Sequence, residues 1–359
     1  MFDYMDGAAD DEVTLRRNSD AFQRLELVPR VLRNVEHVDL ACTILGCAIR
    51  MPIVCAPAGA SRLFHHQGEA AAARAAERAG TVYSLSSVSN RSIEDIGATG
   101  KGPKWFQIYV WRDRAILKDF IARCRDSGYS ALCLTVDVPV AGNRERDLRN
   151  GFTVPPRIGF RSALDTLCRP AWLWHFLTSP RIAFRNVEKH AGATMNLASV
   201  MEYISRQLDP SVTWEDAAWI IEEWKGPFAI KGILSAADAE RAVQIGVTGI
   251  IVSNHGGRQL DHVPAPIEVL PEIVAAVGGR AEVILDGGVR RGTDVIKALA
   301  LGAKACMVGR PYLYGLAAGG EAGVERALAI LRSELERGMK LLGCRSLAEL
   351  DASYLRFRR

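Results

Sequence analysis

Gly249-Ile250-Ile251-Val252-Ser253-Asn254-His255-Gly256-Gly257-Arg258-Gln259-Leu260-Asp261 is the stretch whose reading decides the fold. Its first residues form an apolar, β-branched run, the pattern of a buried strand. That strand runs out into a histidine, two glycines and an arginine. A titratable base and a planar cationic fork on one tight turn suit a reaction site, and α/β barrels carry their chemistry at the carboxyl ends of their strands. Gly256 and Gly257 let the backbone bend sharply and approach a ligand.

Working outward, seven more short apolar runs alternate with alanine-rich amphipathic stretches. The predicted strands are 51–58, 81–87, 105–110, 131–137, 228–233, 249–254, 282–286 and 305–309. Eight such units predict an α/β fold, a TIM (β/α)8 barrel occupying residues 1–359 as one domain. A doubly wound open sheet is the alternative. One interval breaks the rhythm, because nearly a hundred residues separate the fourth and fifth strands. Residues 155–200 are therefore read as an insertion with a function or helices of its own.

Composition narrows the function classes. The 359 residues are 48% hydrophobic and 24% charged with a net charge of +4, as expected of a globular chain with a large core. No basic nucleic-acid module stands out. The eight cysteines, from Cys42 to Cys344, show neither a CxxC pair nor a metal-ligand spacing, so free thiols and no metal are expected. The acidic start lacks a signal-peptide pattern, and no run of 18 apolar residues exists, which together point to a cytoplasmic location. Within the insertion, residues 157–189 carry six basic side chains against two acidic ones (Asp165 and Glu188). Phe160, Trp172, Trp174, Phe176 and Phe184 lie among them. That mixture suits peripheral contact with the inner face of the cytoplasmic membrane. A subunit interface or a lid with buried tryptophans is the competing reading.

Polar groups recur at the ends of seven of the eight strands: Ser86, Gln107 and Tyr109, Thr135 and Asp137, Lys231, His255 with Arg258, Asp286, and Gly309 with Arg310. Asp286-Gly287-Gly288-Val289-Arg290 follows strand seven, and Gly309-Arg310 follows strand eight. These are the two places where barrels commonly bind phosphate, and glycine amides with guanidinium forks suit a phosphate dianion. Lys231 lies in the apolar run Phe228-Ala229-Ile230-Lys231-Gly232, where a lone ammonium is costly and needs an anionic partner, either a ligand or a structural salt bridge.

The run Ser253 to Asp261, with these loops in the same order, closely resembles the FMN-dependent α-hydroxy acid dehydrogenase and oxidase family. The resemblance extends from Tyr4 to about Leu347. It implies bound FMN, with Arg290, Gly309 and Arg310 at the phosphate beside Gly287 and Gly288, and Asp286 on the ribityl hydroxyls. Ser86, Gln107 and Thr135 would meet the flavin ring, Ala56-Pro57-Ala58 would pass along its face, Lys231 would face its N1 and O2 region, and Ser253 belongs to the same cofactor set. The family pattern makes His255 the general base, oriented by Asp137. It gives Arg258 and Tyr4 to the substrate carboxylate, Tyr109 to the α-hydroxyl, and Arg144 to a second contact with the anion.

The implied reaction is oxidation of an L-2-hydroxy acid, L-lactate or a larger analogue such as mandelate, with electrons passed to a quinone or cytochrome. An oxidase that uses O2 is the alternative, and an FMN-dependent type 2 isopentenyl diphosphate isomerase is a further one. The family tendency implies a homotetramer. Three departures stand out. Family members carry about twenty more residues before the tyrosine matching Tyr4, which implies a looser hold on Tyr4 or a start further upstream. Val88 replaces a bulky aromatic found in some members, and Gly59 stands where strict oxidases often have alanine.

Overall fold

The computed structural model describes residues 2–150, 168–191, 203 and 206–358. Eight parallel strands close into a barrel: β1 (Ile53–Ala58), β2 (Tyr83–Ser86), β3 (Lys104–Ile108), β4 (Ala131–Thr135), β5 (Phe228–Ile233), β6 (Gly249–Ser253), β7 (Glu282–Asp286) and β8 (Ala305–Val308). Each strand pairs with the next in sequence, and β8 pairs with β1. The open-sheet alternative is excluded by that closure.

The strand's period of two explains the core and the site together. Val54, Trp105, Ala131, Cys133, Ala229, Ile251, Ile284, Ala305 and Met307 pack together inside the barrel. The intervening Leu132, Leu134, Ile250, Val252 and Leu285 face the surrounding helices. A short hairpin, Cys42–Ile44 with Cys47–Ile49, adds Ile44, Leu45 and Ile49 to the interior core. Continuing the inward register toward the carboxyl ends reaches Ser86, Gln107, Thr135, Lys231, Ser253 and Asp286, one polar layer above the apolar filling. The predicted strands 105–110, 131–137 and 305–309 end earlier than expected. Tyr109, Asp137 and Gly309 therefore sit on loops just past the last ladder pair, free of the strand's alternation.

The insertion between β4 and β5 is described only in part, and Arg157, Phe160, Arg161 and Asp165 lie outside the described residues. A helix runs from Pro170 to Thr178 and another from Arg185 to Ala191. The aromatics expected to act together separate. Phe184 is buried, Trp172 is half-buried, and Trp174 is 66% exposed beside Leu177 at 70%. Phe184 is thereby withdrawn from the predicted membrane face, because the chain at Ala183–Phe184 turns in against Asn90, whose amide donates to the Ala183 carbonyl. All eight cysteines are free thiols.

Candidate active site

A cavity of about 330 Å³ opens at the carboxyl ends of the barrel strands. Tyr4, Ala56, Pro57, Ala58, Ser86, Gln107, Tyr109, Thr135, Arg144, Lys231, His255, Arg258, Asp286, Gly287, Gly288, Arg290, Gly309 and Arg310 all line it. Of the residues predicted for the site, only Asp137 and Ser253 do not; both stand directly behind the lining.

His255 begins the turn that leaves β6. Its own φ is +57°, a region that non-glycine residues adopt uncommonly. Ser253 Oγ accepts from the His255 amide at 3.0 Å and supports that turn. The imidazole Nδ1 lies 3.0 Å from Asp137 Oδ1, so the opposite ring nitrogen is left for the cavity. Burial pushes the His255 pKa below its ordinary 6.5; Lys231 and Arg258 push it the same way, against the pull of Asp137. Burial also opposes ionisation of Asp137, but His255 and Lys231 outweigh it and hold the carboxyl below its usual range. The pair is therefore a neutral base beside a carboxylate at neutral pH.

Lys231 is satisfied from below. Its Nζ lies 2.9 Å from Asp286 Oδ2 and donates to Ser253 Oγ at 2.9 Å, while Ser253 Oγ donates to Asp286 Oδ2 at 2.7 Å. Burial disfavours the ammonium, yet Asp286 and Asp137 raise its pKa above the usual value. The cation is thus held charged at the cavity wall. Both sequence alternatives for Lys231 meet here, since a structural salt bridge and a cavity-facing cation are the same residue.

Arg258 Nη1 donates to the carbonyls of Tyr4 at 2.7 Å and Gly7 at 2.9 Å, and its guanidinium carbon sits 5.1 Å from the Tyr4 ring centroid. Arg144 approaches the same ring at 5.7 Å, and its Nε is buried without a hydrogen-bond partner among the described residues. Two guanidinium groups thus converge on one aromatic ring, and this ring also stacks on Phe64 at 6.1 Å. Tyr4 lies in the short helix Phe2–Asp6, and these contacts surround its ring. Burial lifts the Tyr109 hydroxyl, helped by the charge of Asp137, to a pKa of about 12, so it remains a proton donor.

The opposite end of the cavity suits a phosphate and a flat polar ring. Ser86 Oγ donates to Gln107 Oε1 at 2.8 Å, which leaves Gln107 Nε2 buried with no partner among the described residues. An acceptor on a ligand is the missing complement. At Gly309, an added Cβ would meet only Ala56 Cβ at 3.9 Å, so the backbone there is open to a ligand. Arg290 lies over the Tyr314 ring at 5.5 Å. Arg310 departs from a free phosphate fork, because it already donates to the carbonyls of Gly256, Gly7 and Met5 at 3.0, 2.9 and 3.3 Å. Three of its five donors are engaged, and two remain. The donor set as a whole fits FMN.

Several supporting residues were not foreseen. Asp261 accepts from the amides of Val13 and Thr14, at 3.1 and 2.7 Å, and anchors the start of helix Val13–Gln23. Gln259 Nε2 donates to the Asp137 and Val140 carbonyls, at 3.2 and 2.9 Å, and so fixes the loop that carries Asp137. Asn18 and Asn254 exchange amide hydrogen bonds at 2.9 and 2.7 Å. Gly288 packs so tightly there that an added Cβ would lie 2.1 Å from the Asn18 carbonyl oxygen, and its φ of +81° also selects glycine. The glutamine and aspartate stand in the quoted stretch, but their partners lie more than a hundred residues away and leave no spacing signal.

Comparison with known proteins places this geometry. The family model described as FMN-dependent dehydrogenase matches residues 1–357. A putative L-lactate dehydrogenase of Mycobacterium tuberculosis is 43% identical over 99% of this chain and 84% of its own length. An L-lactate oxidase of Nostoc sp. and a glycolate oxidase of Spinacia oleracea are each 43% identical over 99% of this chain, covering 93% and 90% of their own lengths. Among solved structures, the monotopic membrane protein (S)-mandelate dehydrogenase superposes with a TM-score of 0.94 at 40% identity, over 99% of this chain and 94% of that one. A barrel whose strand ends gather a histidine–aspartate pair, two arginines and a phosphate-type loop thus matches one family along its whole length, and the chain belongs to the FMN-dependent dehydrogenases.

Proposed function

We propose that this protein oxidises an L-2-hydroxy acid, L-lactate or a larger analogue such as mandelate, to the 2-oxo acid. The observation that carries this reading is the convergence of His255, backed by Asp137, and the Arg258 guanidinium on one cavity. Arg258 keeps three N–H donors beyond those given to Tyr4 and Gly7, enough to grip a carboxylate in two-pronged fashion, with Arg144 as a second cation. The hydroxyl of Tyr109 meets the α-hydroxyl. His255 takes a proton from the substrate, and Asp137 stabilises the imidazolium that results.

FMN, when bound, supplies the acceptor for the two electrons that leave the substrate. Lys231 aims positive charge at the ring region where negative charge develops. Arg290 and the amides of Gly287, Gly288 and Gly309 take the phosphate, with the remaining donors of Arg310. Ser86, Gln107 and Thr135 take the ring, Ala56, Pro57 and Ala58 border its face, Asp286 takes the ribityl chain, and Ser253 acts from behind by tying Lys231 to Asp286.

For the second half-reaction we infer a quinone or cytochrome acceptor, reached at the membrane, with a homotetramer as the working assembly. The exposed Trp174 and Leu177 lie three residues apart on one helix flanked by Arg169, Arg181 and Arg185, which supports interfacial contact. No helix among the described residues is long and apolar enough to cross a membrane. The similarity to a monotopic mandelate dehydrogenase supports the same reading, and membership of a dehydrogenase family displaces the isomerase alternative. The test is anaerobic reduction of bound flavin by an L-2-hydroxy acid in wild type and His255→Ala. Loss of bleaching in the variant, with FMN still bound, is expected; unimpaired bleaching would contradict the role given to His255.

A further inference from the structure

A second cavity of about 310 Å³ lies beside the first, and Phe64 lines both. One side of its wall is built of rings. His66 stacks on His175 with ring centroids 4.0 Å apart and lies tilted against His65 at 4.4 Å; Trp172, Ser179, Ile182, Ala317, Ala318 and Arg62 complete the described lining. Nothing in the mechanism above uses these residues.

The chemistry of the wall selects its occupant. Among the described residues no carboxylate lines this cavity, which argues against a cation. Arg62 is the one arginine or lysine in the lining among the described residues, and each of its three nitrogens already donates to a backbone carbonyl, of His66, Arg181 and Pro180 at 3.2, 3.2 and 2.6 Å, so that, as in Arg310, two N–H groups remain. Burial pushes the pKa of His65 and of His66 below 6.5, helped at His65 by His66 and His175 and at His66 by His175 and Arg62, which leaves neutral rings able to donate. His66 Nδ1 is buried without a partner among the described residues. The cavity therefore presents flat rings, imidazole donors and the remaining N–H groups of Arg62, which suit a flat molecule bearing hydrogen-bond acceptors. Its volume falls at the lower end of the range for small-molecule pockets. Its rim includes the helix Pro170–Thr178, whose Trp174 and Leu177 are exposed.

We propose that the His65–His66–His175 cavity binds the ring of a lipid-soluble quinone, one side chain away from the cofactor cavity across Phe64. This rests on the reading of the main cavity as an FMN site that oxidises 2-hydroxy acids. The exchange balances: two electrons pass from the reduced flavin to the quinone ring, two protons join its two oxygens, and the quinol leaves. One of those protons arrives with the hydride equivalent carried by the reduced cofactor, and the other comes from solvent, balancing the substrate proton that His255 takes up and releases to solvent.

The test uses the FMN-loaded protein and a short-tailed ubiquinone. Equilibrium dialysis measures binding, and reoxidation is followed after reducing the flavin by light, so neither reading depends on any hydroxy acid reacting. Ala318 is an exposed residue of the lining, so Ala318→Trp blocks the cavity without disturbing the core. The variant is expected to weaken quinone binding and slow reoxidation by quinone at least about ten-fold, the equivalent of roughly 1.4 kcal/mol. Reoxidation by ferricyanide is expected to stay within about two-fold. His66→Leu is expected to weaken quinone binding similarly. Quinone binding that is undetectable, that ignores both substitutions, or that competes with the hydroxy acid for the main cavity overturns the proposal. Failure of any hydroxy acid to bleach the flavin, with quinone binding intact, would instead overturn the reading of the main cavity.

Discussion

His255 Nδ1 lies 3.0 Å from Asp137 Oδ1, and the other carboxylate oxygen, Oδ2, is buried without a hydrogen-bond partner among the described residues. Among the described residues, the carboxylate thus commits its side-chain hydrogen bonding to the imidazole. The base form of His255 is stabilised by burial, so kcat/KM is expected to rise with pH through an ionisation below 6.5. Asp137→Asn removes the group that raises that pKa, so the acid limb moves to still lower pH. At the same time kcat falls by up to about 10⁴-fold, the order lost when the carboxylate behind a catalytic histidine is neutralised. A pH profile of flavin reduction in both proteins checks both signs. An acid limb unmoved by the substitution would contradict the pairing.

Lys231→Met leaves Asp286 as a buried carboxylate facing only Ser253. Removing one partner of a buried pair costs about 3–5 kcal/mol, so a clear drop in thermal midpoint is expected. Asp286→Asn in the same chain should recover part of that loss, because the uncompensated charge is gone. Equal midpoints for Lys231→Met and the double variant would contradict the uncompensated Asp286 charge as the source of the loss.

Arg258→Lys keeps the charge and loses the fork. A lysine cannot both hold the Tyr4 and Gly7 carbonyls and grip a carboxylate through two parallel donors. The expected result is a fall in kcat/KM of about 30-fold or more, corresponding to the roughly 2–5 kcal/mol lost when a buried charged contact is truncated. Steady-state kinetics measures it. A fall of under three-fold would remove Arg258 from substrate binding.

Gly59 faces Val88 closely: a Cβ at position 59 would lie 2.7 Å from Val88 Cγ2 and 3.1 Å from the Val88 carbonyl oxygen. Gly59→Ala is therefore expected to destabilise by about 1–3 kcal/mol through overpacking, with much of the loss recovered in Gly59→Ala/Val88→Ala. Denaturation midpoints of the four proteins close the cycle. Additive effects would mean that the two positions do not touch.

The exposed pair Trp174 and Leu177 leads to a membrane prediction. Trp174→Glu with Leu177→Glu is expected to reduce co-sedimentation with anionic lipid vesicles several-fold while leaving flavin reduction unchanged. Unaltered sedimentation would remove this helix from any membrane contact.

The barrel and most of its lining were legible in the sequence because a parallel strand writes its burial as a continuous apolar run and its carboxyl end as a sudden polar residue. Ser86, Gln107, Lys231 and Asp286 were readable in that way. Asp137 was identified, but its place behind the imidazole rather than on the cavity wall depends on where β4 stops, and strand ends are poorly marked by composition. The ties from Asp261 to Thr14 and from Arg310 to Gly7 were invisible, since they join segments remote in sequence through backbone groups that every residue shares. The insertion misled most. Its aromatics form one compositional cluster, yet Phe184, Trp172 and Trp174 have three different surroundings, because composition does not record which way a helix turns.

The most direct test of the central claim is anaerobic mixing of the FMN-loaded protein with L-lactate, L-mandelate and glycolate in turn, following flavin absorbance before and after air is admitted. Rapid bleaching by at least one of them, with slow recolouring in air and fast recolouring with quinone, is the predicted result. Flavin that stays oxidised with all three would contradict the assignment of a 2-hydroxy acid substrate to the His255–Arg258 cavity.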